Sequence, residues 1–335
     1  MKLKIYLLLL ACLMAYRGLY AQKLPRPVKK HFSKIEFKYD KVLGIGHEKG
    51  VTRRDPSDVI KVGDTYYVYY TKVYGRSPGY WGTIWYATST DAGYNWKEQG
   101  EILGLGKKGA FDSQATFTPN VLYARDQYYL YYTGVKPTPG NEKDEFENNS
   151  TTDITAIGLA VSDSPGGPFE RVTAEPILKV SVESEKFDSY RVDDASLLYR
   201  NGLYWLYYKG RSRSHGKGGP GHTQMGVAFS KDPEGPFTKY DQPLLPGSHE
   251  VMIWPQYTGV GAIASLDNTL EYAPDGIDFL GERLGVPMRD LPKAPGLFRK
   301  DLTNPIITGE DMHWGISMIH NGDEAYLIRY EVKTN

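Results

Sequence analysis

The sequence has almost no cysteine: Cys12 is the only one among 335 residues. A disulfide within the chain is therefore excluded, and stability has to come from burial of a core. The chain also lacks net charge, because 40 Lys and Arg balance 40 Asp and Glu, whereas proteins that bind nucleic acids are usually basic. A hydrophobic fraction of 40% beside 24% charged residues excludes a protein with many membrane spans.

Long apolar runs are scarce as well, and the clearest one lies at the start of the chain. Lys2 and Lys4 precede an apolar run over residues 5–15, and Ala21 supplies a small residue for cleavage. This order is typical of a secretory signal peptide, and the run is too short for a transmembrane helix. We predict cleavage near Ala21, a periplasmic or secreted location, no membrane association beyond export, and one catalytic domain over residues 22–335.

Cys12 lies inside this apolar run. Residues 9–12, Leu-Leu-Ala-Cys, offer a lipoprotein cut site as the alternative, but apolar residues continue after the cysteine and favour an ordinary signal peptide. Cleavage near Ala21 would leave a mature chain without any thiol.

Aromatic residues and turn formers are abundant, with 27 Tyr, 36 Gly and 21 Pro. Tyrosine-rich strands broken by Gly and Pro turns favour an all-β fold. A strand, a tight turn and an aromatic strand recur at 55–70, 118–132, 194–208 and, more weakly, 315–330. An alternating strand with a turn and an aromatic residue follows at 84–96, 157–169 and 225–237, with a degenerate copy at 257–279.

Two such hairpins make the four strands of one propeller blade. The anchor residues of the first motif, Tyr66, Tyr128, Tyr204 and Tyr326, are separated by 62, 76 and 122 residues, and the last gap accommodates two blades. A β-sandwich would not explain two motifs that recur in a fixed order. The sequence therefore predicts a five-bladed β-propeller, with exposed rim loops at 136–153 and 216–221.

Polar residues open the inner strands of the predicted blades. Because these strands converge on a central channel, we expect the residues to meet there, although any single Asp at such a place is usually a turn or cap residue. The candidates for catalysis are Asp55, Asp194, His249 and Glu250, and those for substrate binding are Arg54, Asp112, Gln114, Asp193, Trp254 and His313.

The segments 53–57, Arg-Arg-Asp-Pro-Ser, and 248–250, Ser-His-Glu, resemble glycoside hydrolase family 117, in the five-bladed propeller clan with families 43 and 32. Known members of family 117 are α-1,3-(3,6-anhydro-L-galactosidases), also called neoagarobiose hydrolases, of bacteria that degrade agar. The resemblance implies an exo-acting, inverting hydrolase that releases a terminal anhydrogalactose-type sugar from algal galactan oligosaccharides.

The resemblance also implies roles for individual residues. Asp55 would be the general base and His249 the general acid, while Asp194 and Glu250 would complete the acidic set. Asp193 is the alternative to Asp194, but the clan pattern puts the acid directly before the small residue, here alanine.

Two other functions remain open at this stage. One is a family-43-like α-L-arabinofuranosidase or β-xylosidase, with Glu250 as the acid and His249 structural. The other is a sugar-binding propeller without catalysis, but such a propeller would tend to repeat its site in every blade, and the polar residues here differ between blades.

The expected partner is an oligosaccharide and not a nucleic acid. No close zinc-ligand spacing exists, so we assign no metal ligands, and His313 is the candidate for contacting a structural divalent cation in the channel, which members of the clan often hold. Family 117 enzymes usually exchange a long helical N-terminal arm, whereas Pro25 and Pro27 discourage a helix here. The protein is therefore expected to be a monomer or a dimer.

Overall fold

A computed structural model describes residues 35–75, 81–136, 154–279, 282–287, 290–306 and 311–334. The predicted signal peptide and all but the first residue of the 136–153 insert lie outside these ranges. The described residues form five antiparallel sheets, and the predicted five-bladed β-propeller is confirmed. No helix in the described part of the chain has the length and apolar character needed to span a membrane.

The strands follow the chain blade by blade. Strand β1 (Ile35–Lys41) precedes the first blade, which contains β2 (Val51–Arg54), β3 (Ile60–Val62), β4 (Thr65–Tyr74), β5 (Thr83–Ser89) and β6 (Lys97–Leu103). The second blade contains β7 (Ala115–Ala124), β8 (Gln127–Lys136), β9 (Ile154–Ser162) and β10 (Glu170–Arg171). The third blade contains β11 (Arg191–Arg200), β12 (Leu203–Arg211), β13 (Gln224–Ser230), β14 (Thr238–Lys239) and β15 (Leu245–Pro246).

The last two blades complete the ring. The fourth contains β16 (Ile253–Gln256), β17 (Gly259–Ala264), β18 (Thr269–Ala273) and β19 (Glu282–Gly285). The fifth contains β20 (Lys293–Leu297), β21 (Trp314–Asn321) and β22 (Glu324–Thr334). A 3₁₀ helix over Arg213–His222 joins β12 to β13, where the sequence predicted a rim loop.

The first strand of the chain belongs to the last blade. Strand β1 pairs antiparallel with β22 along its whole length and forms the outer edge of the fifth sheet. The repeat at 315–330 is therefore the second and third strands of this blade, and not its inner hairpin as the sequence indicated. The sequence pattern did not predict the true inner strand, β20, because its Lys-Ala-Pro-Gly-Leu sequence has no aromatic residue.

Tyrosine hydroxyls join consecutive blades. The second strands of the first three blades are buried on both faces because each blade packs between two neighbours. Their phenol hydroxyls donate hydrogen bonds to turn carbonyls of the next blade: Tyr69 to Pro165, Tyr131 to Pro233 and Tyr207 to Gly276, at 2.6, 2.6 and 2.9 Å. The tyrosine repeat thus fills the interface between blades and also satisfies its own polar atoms there.

A buried arginine connects the blades across the channel. Arg299 Nη1 lies 2.9 Å from Asp58 Oδ2 in the first blade, and its Nη2 lies 2.5 Å from Asp301 Oδ2. The same Nη2 donates to the carbonyl of Leu197 in the third blade at 2.7 Å. Asp58 and Leu197 each lie three residues beyond the residue that opens their blade, Asp55 or Asp194. Arg299 therefore spans the channel one level below Asp55 and Asp194.

The chain after β20 runs from the fifth blade past the first to the second. The backbone amide of Arg299 donates to Val59, and the carbonyl of Leu302 accepts from the amide of Tyr123, at 3.0 and 2.7 Å. Leu302 is fully buried among apolar residues of the first three blades. This crossing segment therefore holds Arg299 in place.

Replacement of Arg299 should destabilise the whole ring. The variant Arg299→Met keeps an apolar stem but leaves Asp58 and Asp301 buried without their cation, and we expect a loss of about 3–5 kcal/mol in the free energy of unfolding. Urea denaturation would measure it. The control Arg125→Met breaks an exposed ion pair with Asp232 and should cost less than about 1 kcal/mol. Equal, small losses in both variants would contradict the role of Arg299.

Candidate active site

Four inner strands carry the same interruption. Asp55, Thr118, Asp194 and Ala294 adopt positive φ angles of 49°, 45°, 62° and 40°. The strand pairing skips two residues at this point in the second, third and fifth blades, and in the first blade the interruption separates β2 from β3. Such bulges re-aim a side chain, and left-handed backbone at residues other than glycine is typical of functional sites.

The four interruptions and Glu250, which precedes the inner strand of the fourth blade, bring residues from all five blades to a common cavity. Asp55, Thr118, Asp194, Glu250 and Ala294 line a cavity with about 360 Å³ of empty space, part of it open to solvent. The other lining residues are Pro56, Ser57, Asp58, Pro119, Asn120, Ala195, Val251 and Pro295. Three of the four candidate catalytic residues, all carboxylates, therefore meet at the centre of the propeller.

Arg54 positions the carboxylate of Asp55. Its Nε donates to Asp55 Oδ2 at 2.7 Å and its Nη2 to Oδ1 at 3.4 Å. The Asp55 side chain remains 12% exposed, which leaves it accessible from the cavity. A carboxylate held on one side by a guanidinium and open on the other has the arrangement of a base that can activate a water molecule.

Lys209, on β12, lies between two adjacent aspartates of the third blade. Its Nζ is 3.2 Å from Asp193 Oδ1 and 3.5 Å from Asp194 Oδ2. Arg191 Nη2 adds a second ion pair to Asp193 at 2.9 Å. Asp194 lines the cavity, whereas Asp193 lies behind it and is not among the lining residues.

The two aspartates differ in their protonation. Burial raises the pKa of Asp194 to about 7, and the neighbouring charges of Asp193, Asp55 and Glu250 add to this against the opposing effect of Lys209. Burial also favours the neutral acid at Asp193, but Lys209 and Arg191 together hold its pKa below the usual value. At neutral pH the cavity therefore contains an aspartic acid that retains much of its proton.

His249 and Glu250 share an anchor but not an orientation. The backbone amides of both residues donate to Ser265 Oγ, at 2.9 and 3.1 Å. Glu250 lines the cavity, and the lining does not include His249. The Nδ1 atom of His249 lies 3.1 Å from the carbonyl oxygen of Pro220, in the 3₁₀ helix. Since a carbonyl oxygen can only accept, Nδ1 carries a proton and the neutral ring has a bare Nε2.

The charges around His249 oppose one another. Lys209 and burial lower its pKa, while Glu250 and Asp193 act in the opposite direction. The net effect is a pKa below the usual histidine value, so that the imidazole is neutral at pH 7. A role as proton donor would then require added stabilisation of the charged ring by the neighbouring carboxylates.

None of the six sequence-predicted binding residues is in the cavity lining. Arg54 and Asp193 lie next to the lining residues Asp55 and Asp194, and the other four have different surroundings. Asp112 is buried, with Arg171 Nε at 2.6 Å and the Tyr132 hydroxyl at 2.9 Å. Gln114 and Trp254 are buried away from the lining, and His313 is exposed outside it. His313 precedes the second strand of its blade and not the inner one, because β1 supplies the outer strand.

Asp112 has a structural counterpart in the third blade. Asp188 accepts from the hydroxyl of Tyr208 at 2.9 Å and from Lys239 Nζ at 2.5 Å, as Asp112 does from its own tyrosine and arginine. Because the same contacts recur in the second and third blades, we interpret Asp112 and Asp188 as residues that stabilise their blades. The second blade contributes Thr118, Pro119 and Asn120 to the cavity instead.

Thr118 and Lys209 are among the residues of the site that the sequence analysis did not predict. Thr118 could have been found, because a proline follows it as Pro56 follows Asp55. Lys209 carries no local signal: it lies on a second strand, and only the pairing of β11 with β12 brings it opposite Asp193.

The structure gives no support for a cation in the channel. Within the described ranges, no three His, Cys, Asp or Glu side chains are grouped so that they could hold a metal ion. His313, the sequence-predicted contact, does not line the cavity. The divalent cation in the channel therefore stays a prediction, and we derive no chemistry through it.

The raised pKa of Asp194 predicts a pH-dependent effect of Asp194→Asn. A carboxyl that titrates near 7 when folded and near ~3.9 when unfolded stabilises the fold below the lower value, and this contribution is lost as the pH rises through the higher one. The asparagine variant should therefore gain stability relative to the parent between pH 4 and 8.

Because the Asp194 side chain is 18% exposed, solvent limits the expected gain to on the order of 2 kcal/mol at pH 8. Melting temperatures of both proteins across this pH range would measure it. The control Asp64→Asn, in an exposed turn, reports any general effect of lost charge. A difference between parent and Asp194→Asn that stays constant with pH would contradict the protonated state of Asp194.

Comparison with known proteins agrees with this geometry. The family model of "Glycosyl hydrolases family 43" matches residues 50–195, which cover the first two blades and the start of the third. No curated protein sequence matches the chain.

Solved structures extend the likeness over most of the chain. Zg3597, a family 117 glycoside hydrolase produced by the marine bacterium Zobellia galactanivorans, is 25% identical with a TM-score of 0.74, over 89% of this chain and 90% of its own. A thermostable family-43 glycoside hydrolase is 15% identical with a TM-score of 0.57, over 88% of this chain and 96% of its own.

Fructan 1-exohydrolase IIa from Cichorium intybus is 16% identical with a TM-score of 0.58, over 85% of this chain and 56% of its own. At their identities, this enzyme and the thermostable family-43 enzyme show a shared fold alone. The match to family 43, the likeness to a family 117 enzyme and the three carboxylates in one channel together identify the chain as a glycoside hydrolase that resembles family 117, within the five-bladed propeller clan of families 43 and 32.

Proposed function

We propose that the protein is an exo-acting, inverting glycoside hydrolase that releases a terminal 3,6-anhydrogalactose-type sugar from algal galactan oligosaccharides. The observation that supports it most is the placement of Asp55, Asp194 and Glu250 on three different blades around one cavity. Inversion needs a base and an acid on opposite sides of the sugar, far enough apart to admit water. Residues from separate blades can provide this span, whereas neighbours on one strand cannot.

In this proposal Asp55 removes a proton from water as the water attacks the anomeric carbon. Arg54 holds the carboxylate in place, and no covalent intermediate forms. His249 gives a proton to the oxygen of the leaving group, and Glu250 stabilises the imidazolium that must exist beforehand. Asp194, which shares Lys209 with Asp193, binds the sugar from the third blade.

The exo mode is supported by the closed end of the channel. Asp58, which belongs to the cavity lining, is bound to Arg299, and we infer that this ion pair obstructs the channel below the site. A pocket of this kind admits one end of an oligosaccharide. The predicted signal peptide would export the enzyme, which could then encounter oligosaccharides that come from outside the cell.

One observation favours a second candidate, a family-43-like α-L-arabinofuranosidase or β-xylosidase. Glu250 lines the cavity, while His249 is bonded to Pro220 and is absent from the lining. In this alternative Glu250 donates the proton and His249 supports the loop. The same fold and the same base would serve both candidates.

Activity on a defined panel separates the two candidates. Neoagarobiose, neocarrabiose, and aryl arabinofuranosides and xylosides would be assayed with the parent and with Asp55→Asn. We expect cleavage of neoagarobiose by the parent and a loss of about 10²–10⁴-fold in Asp55→Asn, as is typical when a general base is removed. Cleavage of the pentosides alone would support the family-43-like alternative, and cleavage of none would contradict both.

The stereochemistry of the first product tests the role of Asp55. Because the proposed base activates water on the face opposite the leaving group, the released sugar should have the inverted anomeric configuration. Proton NMR during the first minutes, before mutarotation, would show it. A product with the retained configuration would rule out Asp55 as a base.

Leaving-group dependence separates His249 from Glu250. If His249 is the acid, His249→Ala should lose about 10²–10⁴-fold on a natural glycoside but much less on an aryl glycoside, whose leaving group needs no proton. Glu250→Gln should be impaired on both substrates, because Glu250 lines the cavity and stabilises the imidazolium. Values of kcat/KM for both substrates would decide, and the reverse pattern would assign the acid to Glu250.

A further inference from the structure

One buried polar atom of Asn120 finds no hydrogen-bond partner in the part of the chain that the structure describes. It is the first residue after the interruption in the second blade, it lines the cavity, and it is 5% exposed. Its Nδ2 donates to Asp58 Oδ2 at 3.2 Å. Its Oδ1 has no hydrogen-bond partner among the described residues, and an unpaired buried acceptor costs about 1–3 kcal/mol.

The orientation of the Asn120 amide is determined by Asp58. The Oδ1 of Asp58 accepts from the backbone amide of Leu297 at 2.8 Å, and its Oδ2 accepts from Arg299 Nη1 at 2.9 Å. Both oxygens of Asp58 thus already accept a hydrogen bond, one of them from a guanidinium, which can only donate. A flipped amide would place the carbonyl oxygen of Asn120 against Asp58, so Nδ2 faces Asp58 and Oδ1 faces away from it.

We propose that Asn120 Oδ1 accepts a hydrogen bond from a hydroxyl group of the sugar in the cavity and thereby selects a sugar with a free hydroxyl at that carbon. An O-methyl, O-sulfo or deoxy group there has no proton to donate. The oxygens of a methyl ether or a sulfate would also face an acceptor, with the charge of Asp58 directly behind it. The inference rests on the proposed function in one respect, namely that the cavity binds a terminal sugar.

The third blade supplies a matched control. Ser196 pairs with Tyr207 as Asn120 pairs with Tyr131, and each is the first residue after the interruption of its strand. Ser196 is 1% exposed and its Oγ also has no partner among the described residues, but it does not line the cavity. The variant Ser196→Ala therefore removes a buried polar group at the same position in its blade as Asn120→Ala does, but it removes no contact with the sugar.

The test is a set of calorimetric titrations in the Asp55→Asn background, which prevents hydrolysis. The probes are the methyl glycosides of 3,6-anhydro-L-galactose, L-arabinofuranose and D-xylose, and their analogues with one hydroxyl replaced by fluorine. Fluorine keeps the size of a hydroxyl but cannot donate. For one position we expect binding to weaken about tenfold in the parent and twofold or less with Asn120→Ala, while Ser196→Ala behaves as the parent.

Melting temperatures would verify that each variant folds, and Asn120→Leu, which has nearly the same shape, replaces Asn120→Ala if the smaller residue does not fold. Equal losses with and without Asn120 at every position would overturn the proposal. Binding of a pentoside in place of the anhydrogalactoside would overturn the proposed substrate alone, because the fluorine series on that pentoside still tests Asn120. Failure of all three glycosides to bind would overturn both.

Discussion

The ion pair between Arg299 and Asp58 is the interaction on which the rest of the structure depends. Arg299 comes from the fifth blade, Asp58 from the first, and the guanidinium also binds the carbonyl of Leu197 in the third. Asn120 of the second blade donates to the same carboxylate. Four of the five blades are thus connected at one centre, whose buried charges are stabilised by the hydrogen bonds between them.

The same centre lies at one end of the candidate active site. It closes one end of the channel, which makes the cavity a pocket, and it orients the amide of Asn120. Above it, interruptions of the inner strands at Asp55 and Asp194 present these side chains to the cavity. The strained backbone persists at these positions because the flanking strand pairs hold the chain on both sides.

The three aspartates in and behind the cavity differ in the number of cations that each one contacts, and they therefore differ in protonation. Asp55 has its own arginine, whereas Asp194 shares Lys209 with Asp193, which has Arg191 as well. Burial raises the pKa of Asp194 to about 7, and the shared Lys209 opposes this shift only in part. Lys209 also lowers the pKa of His249, so one lysine on a second strand affects the protonation of two neighbouring groups.

The sequence by itself determined the propeller, its number of blades, and the candidates Asp55, Asp194 and Glu250, because local hairpins and strand-opening residues repeat along the chain. Only the tertiary structure decided that Thr118 contributes where Asp112 was expected, and that β1 completes the fifth blade. It also decided that Lys209 joins two aspartates and that Arg299 closes the channel. These features depend on contacts between residues far apart in sequence, and the physical reason is that burial and neighbouring charge, which set each side chain's role, arise only when the blades pack together.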